Sequence, residues 1–163
     1  MSNRPISITD FSKLLQGYRG ILPIPIVEIA IALGLKVYSA TLPSDISGFI
    51  KKEPKNDGYM IVVNKNQTNM RKRYTIAHEI AHFILHFDKI EKGIVDREDN
   101  KSDVMFRSES VSSNDEYAAN KLAADILMPI PEITKLLHEH KPKDLASIFQ
   151  VSEQAMRIRL EQL

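Results

Sequence analysis

Residues 75–86 read TIAHEIAHFILH and hold three of the chain's five histidines, spaced four apart. Within them the pattern H-E-x-x-H occurs once, as His78, Glu79, Ile80, Ala81 and His82. On an α-helix, residues four apart lie about 40° apart around the axis and ~6 Å apart along it. His78 and His82 therefore present their rings on one face, close enough to share a metal ion. Glu79 falls further round, where a carboxylate can reach an attacking water without being a ligand. Two neutral imidazoles for Zn²⁺ and a glutamate as general base are the division of labour this spacing serves. The bland alternative is a helix with surface histidines. His86 continues the face but sits ~12 Å along the axis from His78, too far for both to bind one ion. Its expected role is structural or solvent-facing.

The flanking sequence predicts a helix over about residues 69–87, capped by Thr68 or Asn69. Met70, Tyr74, Ala77, Ala81, Ile84 and Leu85 form a neighbouring apolar stripe that would bury it. Upstream, SGFIKK (47–52) and YMIVVNK (59–65) are β-prone and separated by the turn-rich EPKNDG, which reads as a hairpin. With LKVYSA (35–40) as a further strand, a small antiparallel sheet of two or three strands is expected. Nearer the N-terminus, Ser7 or Thr9 can cap a helix through Phe11, Leu14 and Leu15 that ends near Gly17. Pro25 suits the first turn of a second helix, IVEIAIAL, with Gly34 at its end.

Downstream, residues 89–114 are polar and aperiodic and predict a long loop or lid. EYAANKLAADILM (116–128) is a second amphipathic helix that stops at Pro129. From Pro131 the chain reads as three short helices. The expectation is one α+β domain over 1–163, with a core over 1–128 and a helical part over 129–163.

Composition narrows the chemistry. The 163 residues are 43% hydrophobic and 26% charged, ordinary for a globular protein that can bury a core. A formal net charge of +1 gives no overall pull towards nucleic acid or anionic membrane. With no cysteine, disulfides and thiolate metal sites are excluded, so any metal must be held by His, Asp or Glu. MSNRPISITDF does not resemble a signal peptide. The apolar stretch 21–35 is broken by Pro23, Pro25 and Glu28, too short for a bilayer, and a cytoplasmic protein without membrane contact is expected.

Two histidines do not complete a catalytic zinc site, which needs a third protein ligand and one open position. The continuation FILHFDKIE lacks the glycine turn that would bring a histidine back directly after the motif. Candidates further on are Asp96, Glu98, Asp99, Asp103, Glu109, Asp115, Glu116, His138 and His140. Glu116 is best placed, at the start of the second helix. Asn120 follows one turn later, where it could orient a ligand or the attacking water. Ala119 and Ala123 would let this helix approach the histidine helix closely. An ordinary alanine-rich packing helix is the alternative.

RYTIAHEIAHFILH, followed after an insert by EYAANKLAADILMP, resembles the ImmA/IrrE family of metallopeptidase-like proteins. The resemblance implies a compact zincin-like α+β domain, with His78, His82 and Glu116 as zinc ligands and Glu79 as catalytic base. Asn120 and the Leu127, Met128, Pro129 run also match. The long interval between His82 and Glu116 suggests that 89–114 is an insert near the cleft. Family members are similar to endopeptidases that inactivate a helix-turn-helix repressor of phage or mobile-element type, some in toxin–antitoxin-like pairs. A single protein substrate is implied. Histidine and carboxylate donors suit Zn²⁺, and Mn²⁺ as well.

Other features compete with this assignment. Tyr74, Tyr117 and His86 are available by type to stabilise an oxyanion, with the two tyrosines expected to pack instead. A strand around 59–63 could take up substrate as an added strand. DLASIFQVSEQAMRIRL (144–160) has the cadence of a helix-turn-helix, with Ser152 as a cap. Its balanced charges, and packing positions Leu145, Ile148, Val151, Met156 and Leu160, argue against direct DNA binding. The basic residues Lys51, Lys52, Lys55, Arg71, Lys72 and Arg73 read as a solvated face. The alternative function is a non-catalytic metal-binding regulator that holds a repressor or antitoxin partner, or DNA, through those C-terminal helices.

Overall fold

A computed structural model describes residues 6–90 and 112–163. Most of the expected loop over 89–114 lies outside them, as do Asp96, Glu98, Asp99, Asp103 and Glu109. Helix α1 (Ile8–Gln16) begins at Ser7, whose Oγ accepts from the Asp10 N–H at 3.1 Å. Helix α2 (Ile26–Ala32) follows Pro25, and Gly34 takes the positive φ of 83° that turns the chain into the sheet. Strands β1 (Lys36–Ala40), β2 (Gly48–Lys52) and β3 (Tyr59–Asn64) come next, then α3 (Asn69–Leu85). Thr68 caps α3 by accepting from the Arg71 N–H at 3.2 Å, a contact of about 1 kcal/mol. The fold is α+β.

β2 and β3 form the expected antiparallel hairpin, but the sheet is mixed. Its order is β1-β3-β2, and β1 runs parallel to β3. The reason lies in the loop 41–47. β1 ends with Ala40 beside Asn64, and β2 begins with Gly48 beside Val63, so the loop crosses the end of β3 from one side to the other. Asn64, 2% exposed, secures the crossing. Its Nδ2 donates to the carbonyls of Leu42 and Pro43 at 3.2 Å and of Ile46 at 2.9 Å. β3 is thereby the central strand with a partner on each side. It has no edge to offer, and the expected addition of substrate around 59–63 is ruled out; among the described residues the edges are β1 and β2.

α3 lies against β2, β3 and α2, and its most extensive contact is with helix α4 (Ser113–Leu127). The apolar stripe inferred for α3 needs correction. Met70 and Leu85 are exposed, while every residue from Thr75 through Phe83 is buried. A helix covered on several sides has no single buried stripe. Ile76, Ile80 and Phe83 join Phe11, Ile26, Ile29, Ile61, Ile126 and Leu127 in the core. α4 starts three residues earlier than its apolar pattern suggests, because Ser112 caps it by accepting from the Asp115 N–H at 3.1 Å.

Helices α5 (Ile130–Leu136), α6 (Pro142–Phe149) and α7 (Glu153–Glu161) complete the chain. Ser152 caps α7, as expected. Leu145, Phe149, Val151 and Met156 are buried between these helices and the core. Arg159 is internal: it donates to the Met128 carbonyl at 2.9 Å, to Asp125 at 2.7 Å and to Gln162 at 3.0 Å. Arg157 pairs with Glu153 at 2.7 Å. Both arginines of α7 thus have partners within the chain. Among the described residues, no helix is long and apolar enough to cross a membrane.

Candidate metal centre

The middle of α3 and the first turn of α4 meet where alanines leave room. Ala77 and Ala81 on α3, and Ala119 and Ala123 on α4, are all fully buried. Such small side chains allow the two helices a close approach, and Glu116 meets the two histidines across it. His82 Nε2 lies 3.1 Å from His78 Nε2 and 2.9 Å from Glu116 Oε1. His78 Nε2 is 3.1 Å from Glu116 Oε2. One ligand atom from each residue falls within 4.8 Å of the others, and among the described residues this is the group that could hold a metal ion.

The donor set fits a divalent cation. Two ring nitrogens and a carboxylate converge in a space where the imidazoles are almost shut off from water, with side chains 9% and 1% exposed. Neutral imidazoles turning their lone pairs towards a carboxylate repel one another unless a cation sits between them. Two nitrogens and an oxygen are donors that Zn²⁺ accepts. The Glu116 side chain is 40% exposed, so the cluster is open on that side alone of its three ligands. Glu79, one residue beyond His78, is fully buried beside the cluster.

The surroundings of the ligands bring further residues in. Tyr74 stacks on His78 with ring centroids 6.1 Å apart, and its hydroxyl donates to Asn120 Oδ1 at 2.5 Å. Asn120 thus reaches the cluster through Tyr74. Burial raises the Tyr74 phenol pKa, with Arg71 opposing and the Glu116 carboxylate adding to it, which keeps the hydroxyl a donor. Tyr117, expected to pack, is 72% exposed. His86 is not solvent-facing: its side chain is 11% exposed, its Nδ1 is 2.9 Å from His82 Nδ1, and its Nε2 is 3.3 Å from Asp115 Oδ1. Burial lowers the His86 pKa, with Asp115 acting in the opposite sense. Asp115 also pairs with Lys89. His140 bonds the Leu136 carbonyl within α5's end and takes no part in the cluster.

Asp115, one of the candidate third ligands, and His86, expected to be structural or solvent-facing, meet each other and are not among the converging three. The available signal was their spacing: His86 repeats the interval of four after His82, and Asp115 adjoins Glu116.

The family model described as Peptidase_M78, IrrE N-terminal-like domain, matches residues 32–161. Among solved structures, a Mycobacterium tuberculosis transcriptional regulator has a similar fold, with a TM-score of 0.61 at 17% identity. The likeness covers 93% of this chain and 45% of that one, so the chain spans less than half the length of the regulator. No curated protein sequence is similar enough to count as a match.

Proposed function

The chain belongs to the peptidase family described as IrrE N-terminal-like, and we propose that it is a metal-dependent endopeptidase of the H-E-x-x-H class acting on a single protein substrate. The observation that carries this is the convergence of His78, His82 and Glu116, open to solvent at Glu116, with the carboxylate of Glu79 buried alongside. His78, His82 and Glu116 would hold the ion, Zn²⁺ by preference, with Mn²⁺ compatible with the same donors. A bound ion supplies Lewis acidity that polarises the scissile carbonyl and makes water a nucleophile at neutral pH. Glu79 takes a proton from the attacking water and delivers it to the leaving amine. Glu116 would turn its carboxylate to the ion between the two histidines, and Tyr74, bonded to Asn120, stacks on His78. β2 is the sheet edge next to α3, and an extended peptide would lie along it.

The resemblance of the two motif blocks to ImmA/IrrE proteins points to a helix-turn-helix repressor as the substrate, of the phage or mobile-element type, in the cytoplasm. The whole chain would act as one unit, α6 and α7 serving to pack. Their arginines engage Asp125, Gln162, Glu153 and a backbone carbonyl, which supports packing over phosphate contact. The test is to mix zinc-loaded protein with purified helix-turn-helix repressors and read intact masses. Cleavage of one repressor at one bond, absent with Glu79→Gln, is expected. Zinc-loaded protein that cuts none of a broad repressor panel, or a Glu79→Gln variant that cuts as well as the parent, would refute it.

A further inference from the structure

His82 uses both of its ring nitrogens. Nε2 faces His78 and Glu116, while Nδ1 faces His86 Nδ1 at 2.9 Å. His86 in turn places Nε2 3.3 Å from Asp115 Oδ1, and Asp115 is bonded by Lys89 and held by the Ser112 cap. The protons along this line follow from chemistry. An ionised carboxylate only accepts, so His86 Nε2 carries the hydrogen. In a neutral imidazole His86 Nδ1 is then a lone pair. Two facing ring nitrogens need one hydrogen between them, and it must come from His82 Nδ1. That leaves His82 Nε2 unprotonated, aimed at the centre of the cluster.

We propose that His86 and Asp115 are positioning residues that fix the tautomer and ring orientation of His82, and so set the affinity of the centre for its metal ion. The first turn of α4 thereby grips His82 from both sides, with Glu116 at Nε2 and Asp115 acting on Nδ1 through His86. This also accounts for the third histidine of the run, which stands at the C-cap of α3, too far from His78 to share an ion with it. Hydrogen-bond partners of this kind change metal affinity by about 10–100-fold.

The inference rests on the metal-centre assignment, and the experiment separates the two. Zn²⁺ affinity is measured by competition with a chromogenic chelator on the metal-free full chain, for the parent, His86→Leu, His86→Gln and Asp115→Ala. The absorption spectrum of the Co²⁺-loaded forms is recorded alongside. A glutamine can accept from His82 and donate to Asp115, so His86→Gln is expected to stay near the parent. His86→Leu and Asp115→Ala are expected to weaken Zn²⁺ binding about 10–100-fold and to shift the Co²⁺ bands. Asp115→Ala, at a helix start near the surface, keeps the test valid if His86→Leu does not fold. Parent-like affinity and spectrum in Asp115→Ala would overturn the proposal alone, as would equal losses in His86→Gln and His86→Leu. A parent that takes up no zinc would overturn the metal-centre assignment and this inference with it.

Discussion

Glu116 Oε1 lies 2.9 Å from His82 Nε2, across 34 residues of chain. That contact closes a cluster to which α3 alone brings two candidate ligands, and the buried alanines Ala77, Ala81, Ala119 and Ala123 let α3 and α4 lie close. Removing the carboxylate should therefore abolish the site while leaving the helices packed. Glu116→Ala is expected to lose more Zn²⁺ affinity than the roughly 10–100-fold that follows loss of an outer hydrogen-bond partner. Elemental analysis after gel filtration checks it: about one zinc per chain in the parent, none in Glu116→Ala or His82→Ala. Zinc retained by Glu116→Ala would transfer the third ligand elsewhere.

Glu79 is buried beside the ligands but is not one of the converging three. Exchanging it for the isosteric amide removes the proposed base without removing a proposed ligand. Glu79→Gln should keep full zinc content and lose about 10²–10⁴-fold in cleavage rate, the range for a positioned general base. Rate and metal content measured on one preparation decide it. Loss of zinc together with activity would make Glu79 a support of the metal rather than a base.

An ion that binds only the folded chain stabilises it by mass action. At a free concentration one hundred times Kd, the gain is about 2.7 kcal/mol. Thermal unfolding of the metal-free parent should move to higher temperature on adding Zn²⁺, and the shift should reverse with chelator. His82→Ala should show no shift at the same concentration. An equal shift in that variant would locate the binding outside this cluster.

Much of the site is legible from spacing alone. The interval of four puts His78 and His82 on one face by helix geometry, and Glu116 recommends itself because it opens a helix whose flanking alanines permit close packing. Periodicity does not report what packs behind a ligand. His86 looks peripheral when only its distance along α3 from His78 is considered. Its contact with Asp115 emerges only once α4 is in place. The same limit applies to the sheet. The hairpin follows from EPKNDG between two β-prone runs, whereas the parallel pairing of β1 depends on Asn64 gathering three carbonyls of a loop some twenty residues upstream. Single-residue anchors of that kind carry no periodic signature.

Asn64 therefore makes its own prediction. Asn64→Leu preserves burial and removes the donors to Leu42, Pro43 and Ile46. A buried acceptor left without a partner costs ~1–3 kcal/mol, and water can reach part of this loop. The expected loss is about 3 kcal/mol, read as a lower urea midpoint at unchanged m-value. A midpoint within about 0.5 kcal/mol of the parent, the spread typical of neutral surface changes, would show that the loop crosses β3 without this anchor.

Gly48 opens β2 at the point where the sheet touches α3. A Cβ there would clash with the Val62 carbonyl oxygen and meet Thr75 Cγ2 at 2.7 Å. One contact is backbone and cannot swing away, so in Gly48→Ala the strand must move off β3 or off the helix. Overpacking of this sort costs about 1–3 kcal/mol. Thr75 shares a face of α3 with His78, Glu79 and His82, three, four and seven residues on, so the displacement should reach all three. Gly48→Ala is expected to lower cleavage rate and Zn²⁺ affinity together. Thr75→Ser removes the offending methyl, and the double variant should recover part of the lost stability but not all, because the Val62 oxygen remains in the way. Stability in urea, measured for both single variants and the pair, gives the coupling energy directly. A coupling near zero would mean that β2 yields towards β3 alone, and that Gly48 does not set the distance between the sheet edge and the helix that carries Glu79.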